Sequence, residues 1–441
     1  METWIAPEVP ALPREGSADP VLVFDSTQQA LVEGATGPGA TLYACGITPY
    51  DATHLGHAHT YLAFDLLQRA WLDAGKQVTY ASCVTDVDDP LLERATATGV
   101  DWRDLALEQT QLFREDMVAL RMLPPQVWRG AVESIPAVVE AVTAMLEAGT
   151  AYWVDQDVYA DVAADPAFGT VSGYSLEQSL ALFAERGGDP GRAGKRNALD
   201  PAVWRAEKPG EPSWDGGVLG AGRPGWHIEC AVIARDGLGV PFDVQGGGYD
   251  LLFPHHEMSV SHLRVLSEAG GALGGGVGPG LGASVAPRTH VHAGLISYQG
   301  AKMSKSLGNL VFVSRLRYSG VDPMVIRLAL LGHHYRDEWE WTDSDLAATR
   351  VRLSLWKPAL GTAGGAGALG AAGAGAAAGG SGDEVTWGST ALDVLDQVRS
   401  AMRADLNAPE ALAIIDDWAA SGGQDAPAVR LILDALLGLA L

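Results

Sequence analysis

Thr41-Leu42-Tyr43-Ala44-Cys45-Gly46, followed by Thr48-Pro49-Tyr50-Asp51 and then Thr53-His54-Leu55-Gly56-His57, decides how this chain is read. The first six residues are an apolar run closed by glycine, the pattern of a buried strand. Thr48 to Asp51 is a turn. From Leu55 to Ala74 apolar residues recur at helical spacing, as at Leu62, Leu66 and Ala70, and Gly75 supplies a stop. Val78 to Val84 is a second strand. Strand, turn, helix and strand with a crossover of this length form a βαβ unit, so the sheet is parallel and its ligand site lies at the carboxyl ends of the strands. Cys45 and His54 fall at that end.

The chemistry there points to a nucleotide triphosphate. A helix amino terminus offers backbone N–H groups and partial positive charge to phosphate near Leu55 to Ala58. His54 and His57 can donate hydrogen bonds to charge that develops when a carboxylate attacks an α-phosphate. Much later in the chain, Lys302-Met303-Ser304-Lys305-Ser306 reads as a loop whose Lys302 and Lys305 can neutralise a departing pyrophosphate. Each segment alone is weak, since a His-x-Gly-His is often incidental and the lysine segment could be a solvated loop. Their order after a βαβ unit makes the joint reading. No Gly-x-x-x-x-Gly-Lys-Ser/Thr is present, which excludes a P-loop. Gly220 to Gly225 has dinucleotide spacing but follows no strand and carries Pro224 where a helix should start, so it reads as a loop.

With 441 residues, 47% apolar and 19% charged, the chain is long enough for two or three domains with a sizeable core. Its 54 carboxylates against 30 lysines and arginines leave a formal charge of -24. A protein gripping a long polyanion needs a basic footprint, so general nucleic-acid binding is disfavoured and no tRNA partner is expected. No apolar stretch of about 18 residues occurs and Met1 to Trp4 lacks a basic start, so neither a membrane span nor a signal peptide is expected. The expected setting is cytoplasmic, as a monomer or weak homo-oligomer.

Along the chain, residues 1–36 form a proline-punctuated lead-in with one short strand at Val21 to Phe24. Residues 37–125 and 215–300 carry the nucleotide-binding sheet, with further strands at Phe242 to Gln245 and His290 to Ile296 and a helix from about His255 to Ala269 between them. Residues 126–214 form an inserted α+β subdomain, and 301–359 the lysine loop and a helical stem. An Ala/Gly-rich linker at 360–385 leads to a helical bundle at 386–441. The fold class is therefore α/β, with a Rossmann-like parallel sheet.

Three cysteines in a chain without an export signal argue for reduced thiols. Cys45, Cys230 and His255 form a possible Cys2His set whose fourth tetrahedral position stays open, the arrangement of a catalytic Zn2+. A substrate cysteine thiolate would suit that position, and the harder serine hydroxyl would not. Cys83, inside a strand, reads as core. His227, His256 and Glu257 are candidates for groups that orient the ligands.

At this point several motifs resemble one known group. Cys45 to Asp51, His54 to His57, Thr85 to Asp89, Arg223 to Cys230, Gly246 to His256 and Lys302 to Asn309 look like the cysteinyl-tRNA synthetases, with the paired signatures of class I aminoacyl-tRNA synthetase folds. Within that group the chain more closely resembles the mycothiol-pathway cysteine ligases, whose signature Glu185-Arg186-Gly187-Gly188-Asp189-Pro190 is similar to. Ser259 stands where the synthetases place a further zinc-binding glutamate, and the short acidic carboxyl region leaves little for anticodon binding. The resemblance implies ATP with Mg2+, L-cysteine and the amine of glucosaminyl inositol as partners, and a cysteinyl adenylate. It places that adenylate against Cys45, Gly46, Ile47 and Thr48, against Thr60, and against Cys83, Val84 and Thr85. Trp226, Gly248, Tyr249, Asp250 and Ile296 complete the implied pocket. Cys83 and Tyr249 depart from the family pattern, so their contribution would come through backbone groups. The alternatives are a truncated cysteinyl-tRNA synthetase and a zinc-holding paralogue without catalysis.

Overall fold

Five parallel strands carry the site: β1 (Gly39–Ile47), β2 (Gln77–Val84), β3 (Val127–Gly130), β4 (Val244–Gly248) and β5 (Thr289–Ala293). This computed structural model describes residues 1–13, 19–51, 53–269, 286–303, 308–361 and 385–441. The spatial order is β5-β4-β1-β2-β3, and Leu42 of β1 lies between Tyr80 of β2 and Val244 of β4. The chain moves outward from β1 to β3 and then returns to the other side of β1. The order therefore reverses between β1 and β4, which opens a crevice at their carboxyl ends. β1 is apolar because both faces are covered, with Leu42 and Ala44 fully buried.

Helix α1 (Leu55–Asp73) is the crossover from β1 to β2 and buries Leu55, Leu62, Leu66 and Ala70 against the sheet. Both strands and this helix fall within two residues of the expected bounds. β4 runs over three glycines, and a Cβ on Gly246 would meet the Phe64 ring of α1 at 2.2 Å, so glycine there permits the close approach of helix and sheet. This strand starts two residues later than expected and runs three residues further, through the glycines.

The insertion differs from its expected range of 126–214. Val127–Gly130 pairs in parallel with Ala81–Val84 as the edge of the central sheet, and the helix Ala131–Glu147 follows directly. A four-residue edge strand after Pro124-Pro125 has too few alternations to register as a pattern. The inserted sheet is antiparallel and comprises Ala151–Val154, Asp157–Ala160, Ala202–Ala206 and Gly222–Pro224. Gly222–Pro224 lies beyond 214, inside the segment expected as a loop. Its proline is tolerated because the strand lies at the sheet edge. The amino-terminal lead-in likewise forms a hairpin, Leu22–Asp25 with Ala30–Glu33, where one strand was expected.

Three further helices matter for the site: α2 (Asp89–Thr98), α3 (Trp226–Leu238) and α4 (Glu257–Ala269). The expected helix start at His255 is a wide turn, Leu252–His256, in which Phe253 takes extended angles before α4 begins. Ala301–Lys302 pairs with Ser297–Tyr298 as a strand rather than a loop. Residues 304–307, Lys305 among them, lie outside the described residues, as do most of 270–286 and 360–382.

The carboxyl region is helical as expected: Ser389–Arg403, Ala408–Ala420 and Ala426–Leu437 share one apolar core with α1. Asp65 of α1 joins these parts, receiving Arg69 Nε at 2.8 Å and Arg327, while Arg327 Nε donates to Leu437 O at 2.7 Å. Among the described residues no helix is long and apolar enough to cross a membrane.

Candidate active site

A cavity of about 760 Å³ opens where β1 and β4 end. Cys45, the last but two residues of β1, lies at its floor. Cys230 reaches the same point from the first turns of α3, and His255 from the turn before α4. One ligand atom of each lies within 4.8 Å of the others, and all three residues are buried. Trp226 lines the cavity and stacks on the His255 ring at 4.3 Å between centroids.

The hydrogen bonds around this corner single out one nitrogen. His255 Nδ1 lies 3.0 Å from His227 Nδ1, whereas His255 Nε2 is buried with no partner. His256 Nε2 sits 3.2 Å from Cys45 Sγ, and its Nδ1 is 2.8 Å from Nε2 of His292, whose Nδ1 in turn lies 2.8 Å from Ser26 Oγ. Burial pushes the Cys45 thiol up, and the hydrogen bond with Cys45 pushes Cys230 well up. Two thiolates there require a cation. An orphaned imidazole nitrogen beside two sulfurs fits a borderline-soft metal ion with a fourth position open.

Other expected roles are redistributed. Cys83 is core: its Sγ accepts from Gly46 N–H at 3.3 Å and lies 3.5 Å from Cys230 Sγ, behind the cavity wall. Gly46 must be glycine, because a Cβ would come within 1.5 Å of Cys83 O. Glu257 does not orient a ligand; it accepts from Gly169 N, Ser172 N and Ser172 Oγ and so anchors the inserted subdomain. Ser259 Oγ donates to His255 O at 2.8 Å, so it braces the ligand turn and stands outside the metal cluster.

Of the implied adenylate pocket, Cys45, Gly46, Ile47 and Thr48 line the cavity, as do Thr60, Trp226, Gly248, Asp250 and Ile296. Val84 and Thr85 stand one step behind, with Thr85 Oγ1 2.7 Å from Thr48 Oγ1. Tyr249 does not line it and is 42% exposed, since a side chain that follows Gly248 on this turn points away from the crevice.

At the opposite wall His54 caps α1, its Nδ1 accepting from His57 N–H at 3.3 Å. A neutral His54 therefore carries its proton on Nε2. The rings of His54 and His57 stack at 3.7 Å, and both line the cavity. Burial lowers His57 to about 4 despite Asp250, so it is a neutral donor near pH 7. The expected row of bare N–H groups is largely used internally: Leu55 N–H donates to Val311 O at 2.8 Å and Ala58 N–H to His54 O at 3.0 Å. This helix end offers an anion its dipole and two imidazoles rather than a backbone cradle. Met303 of the lysine segment lines the cavity.

Two features had no role in the sequence reading. Arg186 donates through Nη1 to Asp250 O and Phe253 O, which ties the inserted subdomain to the ligand turn. Asp88 is a buried carboxyl in the cavity wall, pushed up to about 7 by burial and then by Asp89. Neither is legible from periodicity; only an Arg and an Asp within motif-like runs hinted at them.

Residues 32–351 match the model of the class I (C) tRNA synthetase catalytic domain. Over its full length, and over the full length of each relative, the chain is 65% identical to the L-cysteine:1D-myo-inositol 2-amino-2-deoxy-alpha-D-glucopyranoside ligase of Xylanimonas cellulosilytica and 57% identical to that of Sanguibacter keddieii. The chain belongs to this ligase family. The family's fold is that of class I synthetases: Mycobacterium tuberculosis methionyl-tRNA synthetase bound by methionyl-adenylate is similar at a TM-score of 0.59 and 14% identity, covering 91% of this chain and 92% of that one. The leucyl enzyme of Agrobacterium radiobacter gives 0.58 at 12% identity, covering 92% and 84%. The Cys45–Cys230–His255 corner and the paired imidazoles thus sit on a synthetase catalytic fold within a ligase family.

Proposed function

We propose that this protein joins L-cysteine to the amine of glucosaminyl inositol in two steps, using ATP. Cysteine and ATP form an enzyme-held cysteinyl adenylate and pyrophosphate; the sugar amine then attacks the acyl carbon, and AMP leaves. The observation that carries this reading is the convergence of Cys230 and His255 on Cys45, which lines a cavity that His54 and His57 also line. The names of the full-length relatives agree with it.

Cys45 and Cys230 sulfurs and His255 Nε2 would hold Zn2+, which supplies a position for the substrate's thiolate and so selects cysteine over serine. His227 and His256 orient that set through their ring contacts. Trp226 covers the His255 face and excludes water from the corner. His54 and His57 donate to the α-phosphate as negative charge grows on it, and because both are positioned before reaction the stabilisation needs no rearrangement. Lys302 and Lys305 are assigned to the pyrophosphate with its Mg2+.

Cysteine-dependent exchange of labelled pyrophosphate into ATP tests the first step. Mass detection of a cysteinylated product from glucosaminyl inositol tests the second. Absence of exchange would end the adenylation reading, and charging of tRNA without a sugar product would select a cysteinyl-tRNA synthetase instead.

A further inference from the structure

The cavity wall holds a carboxylate that no step above employs. Asp88 is 7% exposed and lines the cavity at the junction of β2 and α2. Although it occupies the N-cap position of α2, its side chain makes no cap bond. Three other acids of the cavity are committed elsewhere: Asp89 to Arg205 and Arg223, Asp51 to Arg94, and Asp189 to Lys195. Among the described residues no ion pair engages Asp88 in this way. A buried carboxylate that faces a cavity without an ion-pair partner is costly unless a ligand answers it.

Its position points to the second half of the reaction. Thr85, three residues before Asp88, has its Oγ1 2.7 Å from Oγ1 of Thr48, which lies three residues beyond Cys45. The carboxylate therefore belongs to the part of the wall built from the carboxyl ends of β1 and β2, the end at which Cys45 lies. Amide formation requires that the attacking nitrogen lose a proton as it bonds to carbon, and a base works best when its proton affinity is near neutral.

We propose that Asp88 receives the acceptor's amine and takes its proton in the amide-forming step, a role that rests on the function proposed above. The free amine attacks the acyl carbon of the adenylate and a C–N bond forms. The C–O bond to the phosphate breaks with its electron pair leaving on AMP, and the nitrogen's proton passes to the Asp88 carboxylate. The charged groups facing Asp88 are Asp89 from α2, Arg205 and Arg223 from the inserted sheet, and Glu229 from α3, which Asp86 also faces. As pH falls through about 7 Asp88 gains a proton and the amide-forming rate should fall with it.

The test is Asp88→Asn, which retains a side chain able to cap α2. In single turnovers from preformed cysteinyl adenylate, amide formation with the aminosugar should slow by about 10²–10⁴-fold. The inflection near pH 7 should disappear, and Asp88→Glu should restore part of both. Pyrophosphate exchange measured on the same samples reports folding and the first step. Amide formation within about threefold of the unmodified protein, with its inflection intact, would overturn the role. So would a loss of exchange by the same factor as amide formation, which would assign Asp88 to the fold or to adenylation. If the unmodified protein shows no exchange at all, the ligase function itself fails and this role falls with it.

Discussion

Asp65 and the Cys45–Cys230–His255 corner are both buried polar clusters, yet one is complete and the other is not. Asp65 Oδ1 accepts from Leu123 N–H at 2.7 Å, and Oδ2 accepts from Arg69 and Arg327. Those arginines then donate to Asp434 O, Arg121 O, Leu120 O and Leu437 O. None of the three keeps a buried polar atom without a partner. At the corner, by contrast, His255 Nε2 is orphaned beside two sulfurs whose thiols are pushed up. A satisfied buried cluster holds a fold together; an unsatisfied one awaits a ligand.

That contrast can be broken by experiment. Cys230→Ser should lower zinc in the purified protein from near one per chain to below about a tenth, read by elemental mass spectrometry, with cysteine-dependent exchange lost alongside. An unchanged metal content would remove Cys230 from the ligand set. At the complete cluster, Asp65→Asn leaves two guanidinium groups without their carboxylate and should cost about 3–5 kcal/mol in urea unfolding. A change under about 1 kcal/mol would mean that the α1 to carboxyl-helix joint is held by apolar packing instead. His256→Ala keeps every ligand but removes the contact to Cys45 Sγ, so competition against a chelator should show metal affinity falling about 10–100-fold.

Acid should lower stability through both His59 and Asp65, with the same sign but over different pH ranges. His59, buried and donating through Nε2 to Tyr335 O, is lowered to about 4 by burial. Its neutral form favours the folded state, so its contribution is whole above about pH 6.5 and declines by about 1.4 kcal/mol per pH unit below that. Asp65 behaves otherwise: burial alone would raise it, but Arg327 and Arg69 outweigh burial and hold it below the usual carboxylate value. Its contribution should persist until the pH falls below about 4. Urea midpoints that stay constant from pH 7 to 5 would contradict the histidine part.

Much of this was readable in one dimension. The β1–α1–β2 unit appeared from its period, because an apolar run of five and a helical stripe of twenty residues are long enough to declare themselves. The bundle at the carboxyl end was legible for the same reason. The edge strand Val127–Gly130, the hairpin partner Ala30–Glu33 and the strand Gly222–Pro224 were not, since three or four residues stabilised by a neighbour carry little pattern of their own. Among the sulfurs, the residue types were visible but not their depth: Cys83 is as apolar in context as Cys45, and only the register of β2 against β1 sends it behind the wall.

By itself the amino-acid order determined a parallel α/β sheet, a ligand crevice at its strand ends, and the kinds of atom available there: thiols, imidazoles, carboxylates and lysines. Only the tertiary structure decided which of them meet. The meeting of Cys45 with Cys230 and His255, the orphaning of one imidazole nitrogen and the exposure of Asp88 to the cavity all depend on β4 returning beside β1 and on α3 and α4 packing under it. Local periodicity cannot encode that, because it reports which face of an element is apolar and not which distant element that face will find.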